Sequence, residues 1–236
     1  MSADAKSDRV AVITGAGRGI GRATAIDLAA KGYSVALVSR SESELKETAG
    51  KCGGKARIFL CDVSDSSRVD RLVDEALGAM GRIDALCHCA GLAVMKSIET
   101  LTVDEWRAII DTNLSSIVYF CRKLWPIWRK QGGGVMVNVS SRAARDPFAG
   151  LGAYGAAKAG VNLLGLALAS GGAEIGVRVH TVAPAATETA MLRSLFSKEN
   201  LPESKTLTPE AVARVIVQCV CGDLDCTSGE VIYVHK

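Results

Sequence analysis

The stretch Arg9-Val-Ala-Val-Ile-Thr-Gly-Ala-Gly-Arg-Gly-Ile-Gly21 decides how the rest of the chain is read. Its apolar run, Val10 to Ile13, does not alternate with polar residues, which predicts a parallel strand buried on both faces. Glycines at 15, 17, 19 and 21 follow, and residues 19–30 then carry a helical pattern. Strand, glycine loop and helix in that order make an anion site. Glycines let the backbone approach a pyrophosphate, and the helix amino terminus offers free N–H groups and a positive dipole end. The spacing is Thr-Gly-x-x-x-Gly-x-Gly rather than Gly-x-Gly-x-x-Gly, and the flanking strand and helix are the context that gives such a loop meaning.

Working outward, a second strand at residues 34–38 ends at Ser39-Arg40. At this point a dinucleotide protein selects its ligand, because an acid would bind a ribose 2′-hydroxyl and a base would accommodate a 2′-phosphate. The first acid is Glu42, whereas Arg40 and Arg18 can pair with a dianionic phosphate, so NADP(H) is favoured. The alternative is that both arginines merely face solvent, as arginine usually does. Further strands are predicted at 56–61, 83–87, 135–141, 177–183 and 230–234, with helices between them at 42–48, from an N-cap at Asp65, 103–130 and 209–220. Pro126 should kink the long helix or lift its last turn. The Ala-rich helix that carries Tyr154 should end early, at Ser170-Gly-Gly. Met191, Leu192, Leu195 and Phe196 predict a short amphipathic lid helix, and Phe148 and Leu151 a pocket wall.

Four groups suited to moving a proton occur in one region: Asn113, Ser141, Tyr154 and Lys158. Tyr154 and Lys158 stand at i and i+4, so they project from one helix face, where the cation should lower the phenol pKa. Ser141 ends an apolar strand, and ligands of open α/β sheets bind at strand carboxyl ends. A lone Tyr-x-x-x-Lys pair carries little weight; its order after Asn113 and Ser141, behind the glycine loop, gives it meaning.

With these residues the chain resembles the short-chain dehydrogenase/reductases, closest in pattern to the branch of 3-oxoacyl-carrier-protein reductases and carbonyl reductases, from Val10 to about Val234. The resemblance implies an α/β Rossmann fold, a doubly wound seven-stranded parallel sheet in the order 3-2-1-4-5-6-7 with helices on both faces. It implies a catalytic set of Asn113, Ser141, Tyr154 and Lys158. For the cofactor it implies Gly15, Arg18, Gly19, Ile20 and Gly21 around the pyrophosphate, Ser39 and Arg40 at the ribose, and Asp62 and Val63 at the adenine. Ala90, Gly91, Pro184 and Thr189 would lie near the nicotinamide, with Tyr154 and Lys158 on its ribose. The activity implied is NADPH-dependent reduction of a ketone or aldehyde, a 3-oxoacyl thioester on CoA or an acyl-carrier protein being one such substrate. The alternatives are an NAD-dependent alcohol dehydrogenase and a catalytically idle nucleotide-binding scaffold subunit. Three departures motivate the last. His88-Cys89 replaces Asn-Asn before Ala90-Gly91, Ala185 replaces a glycine after Pro184, and the chain stops at His235-Lys236 without the family's usual continuation. His88 is read as a structural replacement rather than a catalyst.

The 236 residues suit one domain at 9–236 behind a loose tail at 1–8, and a net charge of +3 gives no reason to expect nucleic acid. The eight scattered cysteines follow no secretory signal and are expected to be reduced, in the cytoplasm. Cys87-His88-Cys89 lacks the usual zinc-ligand spacing, so no metal is expected. No membrane span is predicted. The Tyr154 helix, poor in polar residues, implies through the resemblance a homodimer or homotetramer. Arg122, Lys123, Arg129 and Lys130 offer a basic face that could receive a carrier protein or simply be solvated.

Overall fold

A computed structural model describes residues 9–236; the tail expected at 1–8 lies outside the described residues. The elements alternate as the apolar pattern predicts. The order is β1 (Val10–Thr14), α1 (Gly19–Ala30), β2 (Ser34–Ser39), α2 (Glu42–Gly50), β3 (Ala56–Leu60), α3 (Ser66–Met80) and β4 (Ala85–His88). It continues with α4 (Val103–Ile110), α5 (Ser116–Gln131), β5 (Gly134–Val139), α6 (Gly152–Gly172), β6 (Val177–Pro184), α7 (Ala190–Leu195), α8 (Pro209–Cys221) and β7 (Val231–Val234). The seven strands form one parallel sheet in the order β3-β2-β1-β4-β5-β6-β7.

Period-two alternation assigns each strand residue to a face. Ala11, Ile13, Val35 and Leu37 pack with Leu28 of α1 and with Val212 and Ile216 of α8. Val12, Ala36, Leu86 and Met136 turn the other way, onto Val69 and Leu72 of α3, Phe120 and Trp128 of α5, and Val161 of α6. Both faces are therefore covered, which is why the central strands read as unbroken apolar runs. The strand order reverses between β1 and β4, where ligands of such folds bind.

The long helix continues through Pro126, which lies on its exposed side, and ends at Gly132, where φ is +81°. Its irregularity falls earlier, in a π turn at Asp111–Ser115. There Asn113 Nδ2 donates to the Ile109 carbonyl at 2.8 Å, the i−4 acceptor that its own backbone would use in an α-helix, and the helix widens. As expected, α6 ends within Ser170-Gly-Gly, at Gly172; a 3₁₀ turn at Ala173–Ile175 follows, and the chain reverses at Gly176, with φ +71°. Among the described residues no helix is long and apolar enough to cross a membrane.

Candidate active site and nucleotide cleft

A cleft of about 810 Å³ opens along the carboxyl ends of the strands, from the glycine loop to α7. Its glycine end is built by close approach. A methyl on Gly21 would lie 2.3 Å from the Gly15 carbonyl, and Gly15 and Gly19 have φ of +64° and +55°, a region that other residues rarely adopt. Arg22 Nε and Thr48 Oγ1 hold the carbonyls of Gly17 and Ala16 at 2.9 and 3.0 Å. No side chain caps the α1 amino terminus, so its N–H groups face the cleft. An uncapped helix end beside a glycine turn fits the pyrophosphate of a dinucleotide.

The other expected contacts gather along the same cleft: Arg18 and Ile20, Ser39 and Arg40, Asp62 and Val63, Ala90 and Gly91, Pro184 and Thr189. Thr14 Oγ1 accepts from Ala90 N at 3.0 Å, which ties the glycine loop to the exit of β4. Asp62 accepts from the Ser64 hydroxyl and amide at 2.7 and 3.1 Å. Both arginines are exposed, Arg18 lying 3.7 Å from Glu44 and Arg40 3.7 Å from Asp62. Glu44 is the residue that sequence reasoning missed. It belongs to α2, yet it reaches back over Gly17 and lines the same cleft as Ser39.

At the far end, Ser141 leaves β5 and Tyr154 and Lys158 rise on the first turns of α6, all three lining the cleft. Ser141 and Tyr154 are half-buried neighbours in the cleft; Lys158 is buried and donates to the Val139 carbonyl at 2.7 Å. The expected lowering of the phenol pKa is not found. Burial pushes Tyr154 above its ordinary value, against a smaller opposite effect from the neighbouring Ser141 hydroxyl. The same burial brings Lys158 down to about 8. Its ammonium, 5.7 Å from the centre of the Tyr154 ring, is turned towards a carbonyl. Asn113 does not line the cleft. It is fully buried behind it, its amide holding the Leu92 carbonyl at 2.7 Å.

The remaining wall is apolar. Phe148 and Leu151 from the loop after β5 face Met191, Leu192, Leu195 and Phe196, and the Phe148 and Phe196 rings meet at 5.4 Å. The α7 segment is held to itself: Glu188 pairs with Arg193, whose Nη1 donates to the Leu201 carbonyl at 2.8 Å. Cys87 and His88, adjacent on β4, point to opposite faces of the sheet and do not converge. Burial pushes the Cys89 thiol up to about 12, so it stays protonated beside the cleft.

A family model described as short chain dehydrogenase matches residues 9–200. The chain belongs to that family. Among its relatives is the short-chain reductase NovJ of Streptomyces niveus, 32% identical over 96% of this chain and 92% of the relative. An uncharacterized oxidoreductase of Staphylococcus epidermidis is 30% identical over 89% of this chain and 90% of its own. A 3-ketoacyl-(acyl-carrier-protein) reductase from Brucella melitensis, solved with NADH, superposes with a TM-score of 0.92 at 29% identity, covering 98% of both chains. Levodione reductase superposes at 0.89 and 27% identity over 97% of this chain and 96% of the other. The short-chain dehydrogenases are oxidoreductases that use a nicotinamide cofactor, and the cleft described above has the shape and donors for one.

Proposed function

We propose that this short-chain dehydrogenase is an NADPH-dependent reductase of apolar ketones or aldehydes, with Tyr154 as general acid. The observation that carries this reading is that Ser141 and Tyr154 stand together in the same cleft as the glycine loop. Two hydroxyls side by side can both donate to one carbonyl oxygen, and preorganised donors at a developing oxyanion are commonly the largest catalytic term. A nicotinamide nucleotide held in this cleft would supply the hydride chemistry. Tyr154 releases its proton to the oxygen, Lys158 offsets the charge left on the phenolate, and Gly15, Gly19, Gly21 and the α1 amino terminus hold the pyrophosphate. The wall of Phe148, Leu151, Leu192 and Phe196 favours a substrate whose non-reacting part is apolar, the acyl chain of a 3-oxoacyl thioester being one such group.

Arg18 and Arg40, on either side of Ser39, support NADP(H). Glu44 favours a second reading, NAD(H), because a carboxylate at that point can accept from a ribose hydroxyl. Exposed Leu163 and Leu166 on α6, with Val118 on α5, support a homodimer or homotetramer. Arg122 and Lys123 are paired with Asp70 and Asp74, which leaves less of the expected basic face for a carrier protein. The eight free cysteines support a reducing, cytoplasmic setting. The test is to titrate the protein with NADPH and with NADH, following nicotinamide fluorescence, and then to add acetoacetyl-CoA and hydrophobic ketones. Tighter NADPH binding with oxidation on ketone addition is expected. Binding without oxidation of any carbonyl would overturn the reductase reading.

A further inference from the structure

His88 ends β4, and the chain that leaves it is caught again at Leu92 by a closed circuit of polar bonds. His88 Nε2 lies 2.8 Å from Ser116 Oγ, and Ser116 Oγ donates to the Thr112 carbonyl at 2.8 Å. The next residue, Asn113, donates to the Leu92 carbonyl at 2.7 Å and accepts from the Leu92 amide at 3.3 Å. The hydroxyl of Ser116 has one proton, and it points at Thr112. Nε2 therefore donates to Ser116 Oγ, and His88 is the neutral Nε2–H tautomer. The ring is fully buried, with Phe120 set edge-on at 6.1 Å, so it has one orientation. Burial drives its pKa down to about 3, which keeps it neutral at working pH.

The circuit encloses a part of the site that needs holding. The π turn at Asp111–Ser115 gives up ordinary helical bonds, and Asn113 itself takes the Ile109 carbonyl. Across from it, a Cβ at Gly91 would lie 3.1 Å from Asn113 Oδ1 and 3.8 Å from Lys158 Nζ, so the chain after β4 passes between that amide and that ammonium. We propose that His88 is a positioning residue for Asn113: through Ser116 it fixes the π turn, and thereby the position of residues 90–92 beside Lys158. Its kinetic consequence rests on the reductase reading; the structural part does not.

Amide hydrogen exchange on the nucleotide-free protein separates the two. In Ser116→Ala and in the shorter His88→Asn, exchange at the Leu92 amide and through residues 111–115 is expected to rise about ten-fold, while amides of β1 and β5 stay within about two-fold. No change at Leu92, or an equal rise in β1 and β5, would overturn the proposal. In turnover, Ser116→Ala should lower kcat several-fold with KM for the nucleotide unchanged. Added to Asn113→Ala it should cost nothing more, since both act on one element. Multiplicative losses would overturn the proposal. A wild-type protein that reduces no carbonyl would sink the reductase reading and leave the exchange result to decide the role of His88.

Discussion

The Lys158 ammonium donates to the Val139 carbonyl at 2.7 Å and stands 5.7 Å from the centre of the Tyr154 ring, so in the nucleotide-free protein it does not depress the phenol pKa. Burial is the larger effect on both groups, raising Tyr154 and lowering Lys158 to about 8.

This ordering sets a pH dependence. Below pH 8 both groups carry their protons, and the proposed reduction would need both. As pH rises, Lys158 loses its proton first, and the phenolate left by proton transfer loses its counter-charge. We expect kcat/KM for reduction to be level from pH 6 and to fall above about 8, because this parameter reports the free enzyme. In Lys158→Arg, whose guanidinium keeps its proton to beyond pH ~12, that alkaline limb should vanish even if the maximum is lower. An unchanged limb in the variant would assign it to another group.

A second pH dependence concerns stability. His88 and His180 are fully buried, with pKa values lowered to about 3 and about 4. The unfolded chain takes up these two protons near pH ~6.5, and the folded chain does not. Stability is then complete above that value and is lost as pH falls, by roughly 1.4 kcal/mol per pH unit for each histidine. Urea unfolding at pH 7, 6 and 5 should show the decline, and His88→Asn should flatten it by about half. An equal slope in the variant would mean that His88 is protonated in the native state.

Glu44 lies 3.7 Å from Arg18, a pair partly exposed to solvent. Glu44→Gln removes the repulsion that a 2′-phosphate would meet and releases Arg18 to bind it. The ratio of NADPH to NADH affinity should rise by ~3- to 5-fold, the scale of one exposed charge pair. Arg40→Ala should lower the same ratio. Fluorescence titration measures both, and a ratio that does not move in either variant would remove these residues from cofactor choice.

Two glycine substitutions should act in opposite directions. In Gly21→Ala the new methyl would fall 2.3 Å from the Gly15 carbonyl, backbone that cannot move without opening the loop. A loss of ~1–3 kcal/mol in stability and of nucleotide affinity is expected. Gly78, inside α3, has open space around its Cα and no positive φ. Gly78→Ala should raise stability by ~0.5–1 kcal/mol and leave nucleotide binding alone, as thermal unfolding and titration would show.

Much of the fold is legible in residue order. Apolar runs at 10–13, 35–38 and 135–139 can only be strands covered on two faces, and the helical patterns between them force parallel crossovers. The glycine loop is legible too, because turn geometry and backbone approach are local properties of four residues. Asp65 is likewise readable: it caps α3 by accepting from Ser67 and Arg68, partners two and three residues away.

The sequence by itself determined which elements form, their alternation, and the residue types available at the carboxyl ends of the strands. Tertiary structure alone decided what each of those residues touches. Glu44 reaches Gly17 and Arg18 only after the chain through β2 and α2 has folded back, and Phe148 meets Phe196 only when α7 lies across the cleft. Whether Lys158 tunes Tyr154 depended on burial and on the nearby Val139 carbonyl, not on the i, i+4 spacing. Similarly, His88 gained a partner 28 residues away in sequence, and the π turn formed where the Asn113 side chain found a carbonyl to bind. Period and composition are set by covalent order, whereas desolvation and hydrogen-bond choice depend on which surfaces the packed chain brings together.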